Sequence, residues 1–203
     1  MRGDRKRHAG IGAIRQNHLS NSVRFVATAL PGVILIEPQV FQDARGFFLE
    51  SYNRELFKKN GIRAIFVQDN HSRSAKGTLR GLHYQVAPYE QAKLVRVVQG
   101  EIFDVVVDIR PSSKTFGHCQ TQVLSAENKK MLYIPAGFAH GFLALKEGTE
   151  IIYKVSSVYS PKHERGILWN DPALGIAWPK MDAPYLLSDK DKRFSSLKQK
   201  TKA

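Results

Sequence analysis

One cysteine, Cys119, is all that 203 residues contain. That excludes an internal disulfide framework and any zinc site built from several thiolates. No apolar run approaches the roughly 20 residues needed to cross a bilayer. The basic N-terminus is not followed by the apolar stretch of about 7–15 residues that marks a secretory signal. These absences predict a cytoplasmic protein with no membrane partner. Acid is also scarce: 18 Asp and Glu stand against 31 Lys and Arg, for a net charge of +13. Such an excess raises nucleic acid as a partner, but its distribution argues otherwise. Residues 1–22 carry Arg2, Arg5, Lys6, Arg7 and Arg15 against Asp4, and residues 192–203 carry five bases and no acid. The body between them is close to balanced for its size. The excess therefore sits in two tails whose composition predicts disorder, and no specific nucleic-acid partner is expected.

The expected organisation is a basic extension over 1–22, one domain over 23–191 and a basic C-terminal tail over 192–203. Gly10-Ile-Gly12 is not a phosphate loop, since no strand precedes it and no Lys-Ser/Thr follows. Helical signals are few. Asn53 predicts an N-cap for a short helix over Arg54–Asn60, closed by Gly61. Elsewhere short β-rich runs recur between turn residues: Val33–Pro38, Gly46–Tyr52, Ala64–Gln68, Thr78–Tyr84, and Lys93–Gly100 meeting Glu101–Arg110 at a glycine. Gln120–Leu124, Met131–Ile134, Gly141–Leu145 and Glu150–Ser157 continue the series. That spacing predicts a mostly β sandwich or barrel with a few short helices, not a βαβ fold. After Tyr159 the chain is turn-rich and aromatic, suited to folding over an edge or mouth.

The chemistry concentrates between Gln68 and Gln85, QDNHSRSAKGTLRGLHYQ. His71, Arg73, Lys76, Arg80 and His83 lie there beside three amide side chains and Asp69, with a turn at Ala75-Lys-Gly77. Cations and an imidazole on a strand of a rigid sheet suit an anionic ligand; a basic surface hairpin would carry the same composition.

Two segments resemble the paired motifs of the cupin jelly-roll barrels: Pro135-Ala-Gly-Phe-Ala-His140-Gly-Phe142 and Gly81-Leu-His83-Tyr-Gln85. In metal-binding cupins the first motif supplies two histidines one residue apart. Here Gln85 stands in the second place, so a ligand is lost and no metal is expected. Further segments appear in the order of one metal-free branch. They are Glu37-Pro-Gln-Val-Phe41, Asp43-Ala-Arg-Gly-Phe-Phe48 with Glu50-Ser-Tyr52, Gln68-Asp-Asn-His-Ser72, Leu79-Arg-Gly-Leu-His83 and Lys93-Leu-Val-Arg96. Phe103–Arg110, Leu124–Asn128, Ile134–Phe142, Tyr153-Lys154, Leu168–Asp171 and Leu187–Asp191 follow. Over about residues 23–191 the chain resembles the dTDP-4-dehydrorhamnose 3,5-epimerase family.

The resemblance implies a cofactor-independent isomerase of deoxysugar biosynthesis. Its substrate is a dTDP-linked 4-keto-6-deoxy-D-glucose, epimerised at C3 and C5 to the 4-dehydro-L-rhamnose product. Both carbons flank the C4 ketone, and their hydrogens lie on one ring face. One base can therefore serve both positions, with one acid on the opposite face and a cation at the enolate oxygen. By resemblance His83 is the base, Asp191 its orienting carboxylate, Lys93 the cation and Tyr153 the acid. Substrate contacts carried over in the same way are Arg45, Glu50, Gln68, Asp69, Asn70, Arg80, His140, Glu164 and Lys190, with Tyr159 stacking on the thymine. Val158 departs from a second aromatic found in many members. A homodimer that exchanges an N-terminal strand is also implied. Bland readings stand beside these: His140 as a core histidine, Asp191 as a solvated residue at the head of a tail, Tyr153 as a barrel-lining aromatic. The rival functions are a C3- or C5-only mono-epimerase and a barrel that binds a nucleotide sugar without turning it over. Two geometric conditions follow from strand parity. Tyr153 and Tyr159 share a face only on one continuous strand, and Arg80 and His83 share one only if Gly81 forms a bulge.

Overall fold

The computed structural model describes residues 22–197, so the N-terminal extension lies, apart from Ser22, outside the described residues, as does the end of the basic tail. Four short strands open the chain: β1 (Arg24–Ala27), β2 (Ile34–Glu37), β3 (Val40–Asp43) and β4 (Gly46–Leu49). Helix α1 (Arg54–Lys59) follows, with the Asn53 side chain accepting from the Leu56 amide as the sequence predicts. Next come β5 (Gln68–Ser74), β6 (Leu79–Gln85), β7 (Lys93–Gln99), β8 (Glu101–Asp108), β9 (Cys119–Ser125), β10 (Met131–Ile134), β11 (Phe138–Ala144) and β12 (Thr149–Val155). The short β13 (Glu164–Gly166) and the single turn α2 (Asp189–Lys192) complete the described elements, with a 3-10 turn at Pro172–Leu174 between them. The strand expected from Ala64 begins only at Gln68, because Ala64 and Phe66 leave the sheet to pack against the α1 cluster.

Two antiparallel sheets face each other. One runs β1-β2-β10-β7-β12-β5, the other β13-β6-β11-β8-β9. This is the expected jelly-roll sandwich. The period-two alternation of the strands decides which residues enter it. Val95, Val97, Ile151, Leu132 and Ile134 from the first sheet meet Ile102, Val106, Phe138, Phe142 and Leu124 from the second. The intervening residues face outward, yet many are apolar, because both outer faces are also covered. Leu94, Met131 and Tyr133 lie under α1 through Phe57 and Ile62. Leu82, Val105, Val107 and Ala139 lie under Ile167, Leu174 and Leu197. Burying side chains of this size is worth about 1.5–3 kcal/mol each, which holds the covering segments down. The hairpin β3–β4 belongs to neither sheet and forms a two-stranded sheet of its own.

The segment expected as a tail from residue 192 is packed as far as residue 197. Residues 193–197 continue over the second sheet, where Leu197 is buried and its amide donates to Asp171 Oδ2 at 2.7 Å. A leucine and a phenylalanine among the bases supply the apolar surface that composition alone obscured. Among the described residues no helix is long and apolar enough to cross a membrane.

Candidate active site

Toward one end of the sandwich the inward positions turn from apolar to polar. On β7 and β12 the inward series Lys93-Val95-Val97 and Ile151-Tyr153-Val155 bring Lys93 and Tyr153 to the gap. On β11 the series Phe138-His140-Phe142 brings His140, which is paired across the ladder with His83 on β6. Two connected lobes, of about 660 and 320 Å³, share His83, Lys93 and Tyr153 in their walls. Arg80, His140, Lys190 and Asp191 line the larger; Gln68, Asn70, Tyr159 and Glu164 line the smaller. Together they match the size of a small-molecule site.

Strand β6 meets the bulge condition. His140 faces His83 while Phe142 faces Arg80, so two residues of β11 span three of β6. The extra residue is Gly81, with φ at +128°. A Cβ there would sit 2.5 Å from Gly141 Cα, so this close approach of two backbones admits only glycine. The bulge turns Arg80 inward beside His83, where its guanidinium is held by Ser74 Oγ and the Arg73 carbonyl, both at 3.2 Å.

His83 Nε2 lies 2.6 Å from Asp191 Oδ1. A carboxylate in that position favours the tautomer with its proton on Nε2, in which Nδ1 carries none. The Asp191 side chain is 4% exposed and the His83 side chain 28%, so the dyad is buried on the carboxylate side and open to the cavity on the imidazole side. Burial pushes the Asp191 carboxyl up, but His83, the Ser188 hydroxyl and the Gly81 amide together hold it below the usual carboxylate range. Asp191 is therefore not a solvated residue at the head of a tail. Ser188 also caps α2 by accepting the Asp191 amide, which fixes the carboxylate's position.

Lys93 is buried, and desolvation lowers its pKa to about 8 against the opposing pull of Asp104 and Glu164. Burial raises the Tyr153 phenol, with Arg80 acting against the shift and Glu164 with it. A tyrosine so placed keeps its proton until a strong base in the cavity takes it. His140 Nε2 lies 2.7 Å from Asp104 Oδ2, so the ring both lines the cavity and is satisfied by a buried carboxylate. At the rim Glu164 accepts from Tyr159 Oη at 2.6 Å and pairs with Lys190 Nζ at 2.5 Å. Burial would raise the Glu164 carboxyl, yet these partners hold it low.

A buried histidine–carboxylate dyad, a desolvated lysine and a tyrosine with a raised pKa stand around one cavity. Comparison with known proteins gives the chain a family. The family model for dTDP-4-dehydrorhamnose 3,5-epimerase matches residues 27–199. The chain belongs to that family. It is 58% identical over 166 residues to the dTDP-4-dehydrorhamnose 3,5-epimerase of Pseudomonas aeruginosa, covering 81% of this chain and 91% of that one. Among solved structures it resembles the dTDP-6-deoxy-D-glucose-3,5-epimerase of Legionella pneumophila in complex with dTDP-4-keto-L-rhamnose. The TM-score is 0.84 at 45% identity, with 87% of this chain and 93% of that one covered. It also resembles ChmJ, a 3'-monoepimerase from Streptomyces bikiniensis, with TM-score 0.81 at 35% identity over 86% of this chain and 88% of that one.

Against the family pattern, three expected contacts fall elsewhere within this chain. Asp69 faces away from the cavity, because alternation along β5 sends Gln68, Asn70 and Ser72 inward and Asp69, His71 and Arg73 outward. Its carboxylate instead takes Lys154 Nζ at 3.0 Å. Arg45 sits at the turn of the β3–β4 hairpin, paired with Asp43 and 91% exposed, and Glu50 follows that hairpin; neither lines the lobes around His83. The parity argument for Tyr153 and Tyr159 does not apply, since β12 ends at Val155. A loop returns Tyr159 to the same lobe, its amide donating to Gln68 Oε1 at 3.1 Å. Gln85, in place of the second histidine, ties loops together through Tyr89 O, Val158 O and the Ser160 amide. Asp104 was not singled out from sequence. Its signal was an acid at an inward position between the core residues Ile102 and Val106.

Proposed function

We propose that this chain converts dTDP-4-dehydro-6-deoxy-D-glucose to dTDP-4-dehydro-L-rhamnose without a cofactor. The observation that carries the reading is the pairing of His83 on one sheet with Tyr153 on the other, across a cavity with Lys93 in its wall. His83 Nδ1 removes the proton from a carbon beside the ketone. The C–H electron pair moves into the C4 carbonyl, and the enolate oxygen is stabilised by the Lys93 ammonium. Tyr153 then delivers a proton to the opposite ring face, inverting that carbon. Return of the protons through solvent resets both groups, and the second carbon follows by the same route. Asp191 stabilises the imidazolium at each turn. Arg80 and Lys190 suit the diphosphate by charge and donor geometry, Gln68, Asn70, His140 and Glu164 the sugar and base, and Tyr159 the thymine face.

The working unit is a homodimer in this reading. The β3–β4 hairpin exposes Phe41, Phe47 and Phe48 at 53, 57 and 67%. A lone two-stranded ribbon with an aromatic face is marginally stable, and such a patch marks an interface. Seated on a second copy, it would bring Arg45 and Glu50 to the partner's cavity. The single cysteine and the nucleotide-sugar substrate fit a cytoplasmic setting.

Incubation with dTDP-4-dehydro-6-deoxy-D-glucose in heavy water, read by NMR, tests the assignment. Deuterium at C3 and C5 with inversion at both is expected. Label at one carbon only would establish the second reading, a mono-epimerase, which shares base and acid with the double enzyme and which the likeness to ChmJ favours. No label at either carbon would refute both.

A further inference from the structure

Gly166 on β13 lies directly opposite His83 on β6. Opposed residues of an antiparallel pair send their side chains to the same face, so any side chain at 166 would stand against the imidazole. Glycine leaves that space to another residue. A Cβ at Gly166 would lie 2.3–2.5 Å from three ring carbons of Phe194. The Phe194 ring meets the His83 ring at 75°, with centroids 5.6 Å apart, in an edge-to-face arrangement.

Phe194 is only three residues beyond Asp191, so one short segment touches the imidazole twice. The carboxylate fixes Nε2 at 2.6 Å. A single hydrogen bond still tolerates tilting of the ring plane about Nε2, and χ2 of histidine is broad. The phenyl ring stands against the imidazole and opposes that tilting. The segment is then fastened beyond the phenylalanine: the Leu168 amide donates to Ser195 O at 3.0 Å, the Leu197 amide donates to Asp171 Oδ2 at 2.7 Å, and Leu197 packs with Leu82 and Ile167. Asp171 is itself buried and also takes the Ala173 amide, which makes the anchor rigid.

We propose that Phe194, seated in the notch left by Gly166 and anchored through Leu197, is a positioning residue for the general base. It sets the plane of the His83 imidazole and keeps water from the His83–Asp191 bond. The C-terminal strap beyond Asp191 is thereby part of the working site. The inference rests on the epimerase reading for its kinetic consequence but not for its structural one.

The test uses the full chain with Phe194→Ala, Phe194→Leu and Phe194→Tyr. In the wild-type protein the Nε2 proton of His83, bonded to Asp191, should give a downfield NMR signal protected from water. In Phe194→Ala that signal broadens or disappears. On the dTDP-4-keto sugar, kcat falls by about 10- to 100-fold, as expected for a misaligned base, while KM is unchanged. Phe194→Tyr restores both readouts. Phe194→Leu fills the volume without an aromatic edge and gives intermediate values; it is read in place of Phe194→Ala should the latter not fold. Unchanged kcat and an unchanged His83 signal in a folded variant would overturn the proposal and leave Phe194 a packing residue only. Inactivity of the wild-type protein would instead refute the epimerase reading, and the NMR signal would still decide the role of Phe194.

Discussion

Lys93 shows how burial tunes one residue. Desolvation brings its pKa down to about 8, and Asp104 and Glu164 limit the fall. In the proposed mechanism the cation is needed at the enolate oxygen, so kcat/KM, which reports ionisations of the free enzyme, should decline as pH rises through about 8. Lys93→Met should lower kcat by about 10²–10³-fold, the usual loss for an oxyanion-stabilising donor, and should remove that alkaline limb. A pH–rate profile of both proteins checks this. Stability should move the other way. The unfolded chain holds this proton up to its ordinary value of 10.5, so between about 8 and 10.5 it binds more protons than the folded chain. Raising the pH through that window therefore increases the stability contributed by this group, and below about 8 the cost of burying the cation is present in full. Denaturant midpoints of wild type minus Lys93→Met across pH isolate the effect.

Among the elements, β6 carries the site because it is irregular. A regular strand would send Arg80 and His83 to opposite faces, and the bulge at Gly81 gives both to the cavity. Gly81→Ala places a methyl 2.5 Å from the Gly141 backbone, at a φ of +128°. The conformation alone costs about 1–3 kcal/mol for a non-glycine residue, and the backbone contact adds to it. The variant should unfold at lower denaturant. At temperatures where it remains folded it should lose activity beyond its loss of nucleotide binding, because β6 either slips register or parts from β11. Retained activity at wild-type level would show that the bulge does not position the base.

For the whole molecule the decisive element is the β3–β4 hairpin, which holds Arg45 and Glu50 away from its own His83. If the hairpin serves a second copy, two inactive proteins should rescue each other. Mixing His83→Ala with Arg45→Ala and allowing exchange gives hybrid dimers in which one site has both defects and the other has none. By symmetry about a quarter of the wild-type sites are restored. Recovery of activity measured after mixing checks this, and no recovery from a pair shown to exchange would place Arg45 outside the site.

Much of this protein follows from local pattern. Turn residues between short β-rich runs read as a sandwich, and Asn53 with Gly61 bounded α1 to within a residue. Alternation along β7, β11 and β12 was already enough to send Lys93, His140 and Tyr153 inward with the apolar core, because side-chain direction in a strand depends only on the parity of position. Parity failed wherever a strand was not regular or not continuous: at Gly81, at Tyr159 beyond the end of β12, and at Ala64–Phe66, which leave the sheet. It would also have sorted Asp69 from Gln68 and Asn70, since all three lie on one regular strand. What only the tertiary structure decided is which distant residues meet. Asp104 reaches His140 across 36 positions, Phe194 fills the space left by Gly166, and Asp191 reaches His83 across 108, a pairing that family resemblance implied but no local pattern carried. No periodicity encodes such contacts; they arise because two sheets and the strap across them must pack without voids, and the packing sets where each polar group comes to rest.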